Sequence, residues 1–196
     1  MSVLIVPGLH DSEPAHWQSR WATEIDRAER VQQKDWHAPD LEAWISAIHR
    51  HVMRRPGAVL VGHSLGSTLI AHLAARYPDL PIGGALVVAP ADPELRISRV
   101  QGITSFGPLP DVPFQFPAIV VASRTDPYMA IDRARIIANM WDAAFVDLGN
   151  AGHINVASGH GNWAEGLRLL DQLLWRRGSI APEHRVGRSG TTSRLH

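Results

Sequence analysis

The chain has 196 residues, 45% hydrophobic and 19% charged, which suits a single soluble globular domain with a substantial core. Lys plus Arg and Asp plus Glu both number 19, which argues against a nucleic-acid binder that neutralises phosphates. Cysteine is absent, so disulfides, thiolate nucleophiles and cysteine metal centres are excluded. The apolar run Val3 to Val6 lacks a basic flank and stops at Pro7, too short for a signal peptide. No later run approaches the roughly 20 apolar residues of a spanning helix, so the expectation is a cytoplasmic protein without membrane contact.

Val3 to Val6 reads as a short buried strand, ended by Pro7-Gly8. Pro14 suits the first turn of a helix on which Trp17, Trp21, Ile25 and Ala28 recur at helical spacing. Val31 to Trp36 reads as a weak second strand. Asp40 is a candidate N-cap for a helix presenting Leu41, Trp44, Ile45, Ile48 and Val52 on one face. After Pro56-Gly57 comes a third strand, Ala58 to Val61, and then a helix from Leu65 to Tyr77. That helix is small or apolar nearly all round, which predicts a central, buried position.

Gly84 to Ala89, Ala118 to Ala122 and Ala144 to Leu148 read as strands four to six. Helical patterns follow the last two, on Ile131, Ala134, Ile137, Ala138 and Trp141, then on Trp163, Leu167, Leu170 and Leu174. Strands alternating with amphipathic helices predict an α/β fold, a mainly parallel sheet of about six strands with helices on both faces. Asp92 to Pro117 breaks the rhythm with five prolines and the aromatic residues Phe106, Phe114 and Phe116. A long loop of this kind reads as one packed beside a site, which makes Phe106 a candidate pocket residue. Residues 1–177 form the expected domain, and the polar stretch 178–196 reads as a disordered tail.

The chemistry is announced by Val59-Leu60-Val61-Gly62-His63-Ser64-Leu65-Gly66, where a strand meets G-x-S-x-G and a helix follows. Such an elbow holds Ser64 on a sharp turn with its hydroxyl clear of the backbone. A strand order of 2-1-3-4-5-6 would put the reversal between strands 1 and 3, so the loop Gly8-Leu9-His10 would face the elbow. The N–H of Leu65 is then one candidate oxyanion donor, and Leu9 or His10 supplies the other. His10 and His63 are candidate pocket residues by the same placement.

A serine hydroxyl needs a base, and that base needs a third group to fix its tautomer. Of eleven histidines, His153 is best placed, in the glycine-flanked Gly149-Asn150-Ala151-Gly152-His153 after strand 6. Asp126, in Ser123-Arg124-Thr125-Asp126-Pro127 after strand 5, gives the order Ser–Asp–His. Asp126-Pro127 is also a good N-cap and first-turn pair for the next helix. Asp92, in Ala91-Asp92-Pro93 after strand 4, competes for the acid role. No H-E-x-x-H or comparable ligand set is present, so neither a metal nor a cofactor is expected.

Taken together, these segments resemble the small, lidless α/β hydrolases related to retinoblastoma-binding protein 9, including bacterial members of YdeN type. The resemblance spans roughly residues 3 to 176. It rests on Pro7-Gly8, His16-Trp17-Gln18-Ser19-Arg20-Trp21, Gly62-His63-Ser64-Leu65-Gly66, Asp126-Pro127-Tyr128 and Gly152-His153-Ile154-Asn155. It implies a three-layer α/β-hydrolase fold with no separate lid domain, and a serine hydrolase with Ser64 as nucleophile, Asp126 as acid and His153 as base. The chain is short for a full lid domain, which favours a small acyl substrate, an ester, thioester or amide, cleaved through an acyl-enzyme. Leu9 stands where family members often carry tryptophan. Because family members also bind other proteins, an interaction module on a hydrolase scaffold is the alternative reading.

Overall fold

The computed structural model describes residues 2–95 and 102–178. Strand β1 (Val3–Val6) has all four residues buried, and its side chains divide between two cores. Val3 and Ile5 enter one, Leu4 and Val6 the other, as the two-residue period of a strand requires. The central strands β3 (Ala58–His63), β4 (Ile82–Val88) and β5 (Ala118–Ala122) repeat the division, with Val59, Leu86 and Val121 on one face and Leu60, Val87 and Val120 on the other. Because both faces are covered, these strands read as apolar runs rather than as alternation.

With β2 (Ala28–Arg30) and β6 (Ala144–Asp147) at the edges, six strands pair in the order β2-β1-β3-β4-β5-β6, every pair parallel. The order reverses between β1 and β3, as the sequence predicts, and that is where a parallel sheet opens a crevice. Helices α1 (Trp17–Glu24) and α5 (Ala164–Gly178) cover one face, burying Trp17, Trp21, Leu170 and Leu173. Helices α2 (Leu41–Arg54), α3 (Leu65–Arg76) and α4 (Ile131–Met140) cover the other. Asp40 caps α2, accepting from the Ala43 N–H at 2.8 Å. Helix α3 is the central one expected, with nine of its twelve residues buried. The result is a three-layer α/β fold with no separate lid domain among the described residues.

Three expectations need correction. The second strand is Ala28–Arg30 rather than 31 to 36, and Ala28 belongs to it rather than to the first helix. Val31 still donates to the Ile5 carbonyl at 2.9 Å, after which the chain leaves the sheet. The first helix starts at Trp17, not near Pro14, because His16 caps it: its Nδ1 accepts from the Gln18 N–H at 3.1 Å. Helix α4 begins at Ile131 behind Ala130, so Asp126 does not cap it.

The long segment after β4 is packed inward. A 3₁₀ turn at Ile103–Phe106 leads to Leu109 and Phe114, buried with Phe106 in the larger core. Phe114 stacks on Trp141 at 5.2 Å, and the Trp141 indole donates to the Pro110 carbonyl at 2.8 Å. Residues 96–101 of this segment lie outside the described residues, as does the expected tail beyond Gly178.

Candidate active site

Ser64 sits between the end of β3 and the start of α3 with φ 54° and ψ −125°. That left-handed backbone is unfavourable for any residue with a Cβ and is held by its surroundings. Gly66 makes the turn possible, since a Cβ there would collide with the carbonyl oxygens of Val6 and Pro7. Helix α3 is pinned behind the elbow by the Ser67 hydroxyl on the Val88 carbonyl (2.9 Å) and the Thr68 hydroxyl on the Ala91 carbonyl (2.7 Å). At the helix start the Leu65 N–H has no hydrogen-bond partner among the described residues, leaving a donor and a positive dipole end beside Ser64.

The loop after β1 lies directly against this turn. A Cβ on Gly8 would come within 2.9 Å of Ser64 Cβ and 3.2 Å of the Leu65 nitrogen, so only glycine leaves that N–H uncovered. The next two amides differ. The His10 N–H is committed to the Trp36 carbonyl at 2.9 Å, whereas the Leu9 N–H has no partner among the described residues. Of the two expected second donors, Leu9 is therefore the available one. The His10 ring contacts His37, Nδ1 to Nδ1 at 2.9 Å, on the exposed rim.

The loops after β5 and β6 are fastened to each other before they present their side chains. Ser123 Oγ accepts from the Ala151 N–H (3.0 Å) and donates to the Gly149 carbonyl (3.2 Å). Thr125 Oγ1 accepts from the Gly152 N–H at 3.0 Å. Arg124 and the Gly149 N–H hold the Asp147 carboxylate below the ordinary carboxylate range, the N–H contributing most, and so tie the strand end to the loops. Asp126 and His153 meet on this frame: the carboxylate oxygens lie 2.9 and 3.0 Å from His153 Nδ1, with the Asp126 side chain 2% exposed. A carboxylate on Nδ1 places the neutral ring's proton there and leaves Nε2 as the acceptor.

Ser64 and His153 line the same cleft, of about 550 Å³, together with Leu9, His10, His63 and Leu65. Neither Ser64 Oγ nor His153 Nε2 has a hydrogen-bond partner among the described residues. A long serine–histidine approach is common before substrate binds. Asp92 also lines the cleft, but its carboxylate faces Arg133 Nε at 3.3 Å and not His153. Phe106 does not line it. The ring is wholly buried beside Trp44 and its carbonyl faces His72 Nε2 at 2.7 Å, because the loop turns its aromatic side chains into the core. Leu95 and Ile103 supply the apolar wall expected of Phe106.

Residues not read as functional from sequence lie in the cleft or in the core behind it. Gln18, wholly buried, donates from Nε2 to the Val6 and Val61 carbonyls, both at 3.1 Å, and accepts from the Ser12 hydroxyl at 2.8 Å. It thereby bridges the ends of β1 and β3 where the crevice opens. Tyr128 lines the cleft and sets its ring edgewise to His153 at 4.6 Å. His16 lines it as well, and burial lowers its pKa to about 4, with Arg30 and His153 adding repulsion. The position of Gln18 just behind a tryptophan on a predicted helix hides a polar core residue, and nothing local signals it. Among the described residues no group of three or more His, Asp or Glu side chains could hold a metal ion.

Comparisons with known proteins identify the family and the fold. A family model described as "Serine hydrolase" matches residues 3–172. The chain is similar to a YdeN-like hydrolase of Pectobacterium atrosepticum, with 34% identity, a TM-score of 0.78, and coverage of 90% of this chain and 91% of that one. The ydeN gene product of B. subtilis shares the fold at 20% identity and a TM-score of 0.70, over 89% of this chain and 98% of that one. The type II thioesterase BorB shares it at 15% identity and 0.61, over 88% and 92%. No curated protein matches the chain. On a match that spans most of its length, the chain belongs to the serine hydrolase family, as a YdeN-type hydrolase of the α/β-hydrolase superfamily.

Proposed function

We propose that this hydrolase cleaves a small ester, thioester or amide through an acyl-enzyme, with Ser64 as nucleophile, His153 as base and Asp126 as acid. The observation that carries the reading is the Asp126 carboxylate on His153 Nδ1, at the wall of the cleft that holds Ser64 on its strained turn. In this scheme Ser64 Oγ attacks the substrate carbonyl carbon as His153 Nε2 takes the hydroxyl proton. The oxyanion is held by the N–H groups of Leu65 and Leu9, a pair that needs no reorganisation because neither is otherwise engaged among the described residues. His153 returns the proton to the leaving group as the carbon–heteroatom bond breaks. A water, deprotonated by His153, then releases the acid and regenerates Ser64. Asp126 holds the ring orientation and offsets the charge of the imidazolium. A cleft of about 550 Å³ with no lid domain among the described residues supports short acyl groups, and esters are the first class to try.

A fluorophosphonate probe tests this directly. Wild type should be labelled, Ser64→Ala should not, and His153→Ala should lose turnover of short-chain p-nitrophenyl esters. A wild-type protein that resists the probe and turns over no acyl substrate overturns the proposal.

A further inference from the structure

His63, immediately before Ser64, does more than fill the elbow. The residue is 6% exposed, and its Nε2 lies 2.9 Å from the carbonyl oxygen of His153. A carbonyl only accepts, so the proton of the neutral ring resides on Nε2 and the bond runs from His63 to the backbone of His153. The groups facing the ring are His153 and His16, each 4.8 Å away, and the edge of Trp17 at 5.8 Å. None is an anion. Burial, with the two neighbouring imidazoles adding, keeps His63 neutral far below its ordinary range. The donor therefore persists when His153 takes up a proton.

Position makes this bond different from the others on the His153 loop. The Gly152 N–H is held by Thr125, and the Ile154 carbonyl by the Trp17 indole at 2.9 Å. Those two partners belong to the β5 loop and to α1. Among the described residues only His63 comes from the turn that carries Ser64, so among them only this bond ties nucleophile segment to base segment. We propose, on the catalytic reading above, that His63 is a positioning residue, fixing the His153 loop against the nucleophile elbow through its Nε2–H on the His153 carbonyl.

A misplacement of about 1 Å between reacting groups can cost on the order of 10² in rate. His63→Phe keeps a ring but no donor, and should lower kcat about 100-fold on a p-nitrophenyl ester while KM changes little. In His63→Gln the amide Nε2 can occupy the place of the imidazole Nε2 and should restore most of kcat. His63→Asn keeps polarity but stops short, so it should behave like His63→Phe and substitutes for it if the ring variant fails to fold. Hydrogen exchange over residues 149–158 supplies a readout independent of turnover, faster in His63→Asn and near wild type in His63→Gln. Equal kcat in the Gln and Asn variants, or unchanged exchange in the Asn variant, overturns the positioning role. Faster exchange in a chain whose wild type shows no acyl turnover overturns the catalytic reading instead.

Discussion

The indole N–H of Trp17 donates to the carbonyl of Ile154 at 2.9 Å, joining the first helix to the loop that carries His153. Trp17 is wholly buried, so the carbonyl has no water to turn to if the donor goes. Trp17→Phe should therefore cost about 1–3 kcal/mol of stability, the penalty for an orphaned buried acceptor. Activity should fall with it, because the freed carbonyl belongs to the residue next to His153. Urea unfolding and ester turnover measure both, and an unchanged midpoint would remove the anchor.

The two aspartates on the cleft separate by partner. Asp126 faces His153 and Asp92 faces Arg133. Asp126→Asn should lower kcat by about 10⁴, the cost of losing the acid's charge and tautomer control in a serine triad. Asp92→Asn should leave kcat within about tenfold and instead cost about 1–3 kcal/mol through its bond to Arg133. Steady-state kinetics beside thermal melts decide it, and a reversal of the two phenotypes would reassign the acid.

His16 makes stability depend on pH. Its folded-state pKa of about 4 lies below the ordinary 6.5, so on acidification the unfolded chain binds the proton first. The contribution is complete above about pH 6.5 and is lost as pH falls toward 4; the gap corresponds to about 3 kcal/mol. Protonation also removes the Nδ1 lone pair that caps α1. His16→Asn keeps an acceptor at the cap without the titration, so its urea midpoint should change less between pH 7 and 4.5. His63, lowered in the same direction, adds to the slope, so the variant flattens the curve without levelling it. A wild-type midpoint that is flat over this range would contradict the assignment.

What the sequence made legible follows from where each residue ends up. Apolar runs such as Val3–Val6 and Ala118–Ala122 were readable because central parallel strands are buried on both faces. Ala28–Arg30 was not, because at an edge every position is half-buried and the residues carry no pattern. Ser64 was singled out by the G-x-S-x-G motif and His153 by its glycine-flanked loop, while position left Asp126 in contest with Asp92 until the resemblance separated them; each lies in a loop beyond a strand's carboxyl end. Leu9 was separated from His10 only by the hydrogen bond of His10 to Trp36, a contact no local spacing encodes. Phe106 failed because an aromatic in a long loop serves a cleft or a core equally well by composition. Gln18 failed for the opposite reason, since a polar residue on a helix is expected at the surface.

The φ of 54° at Ser64 makes this residue an opponent of its own fold. A strained non-glycine backbone stores about 1–3 kcal/mol, and glycine would release most of it against a smaller loss in the unfolded chain. Ser64→Gly should therefore melt higher than wild type while losing the hydroxyl, and a lower melting temperature would deny the strain. Heat selection applied to this gene without an activity screen would then drift toward glycine at position 64. Thermal robustness and turnover are in competition at a single codon.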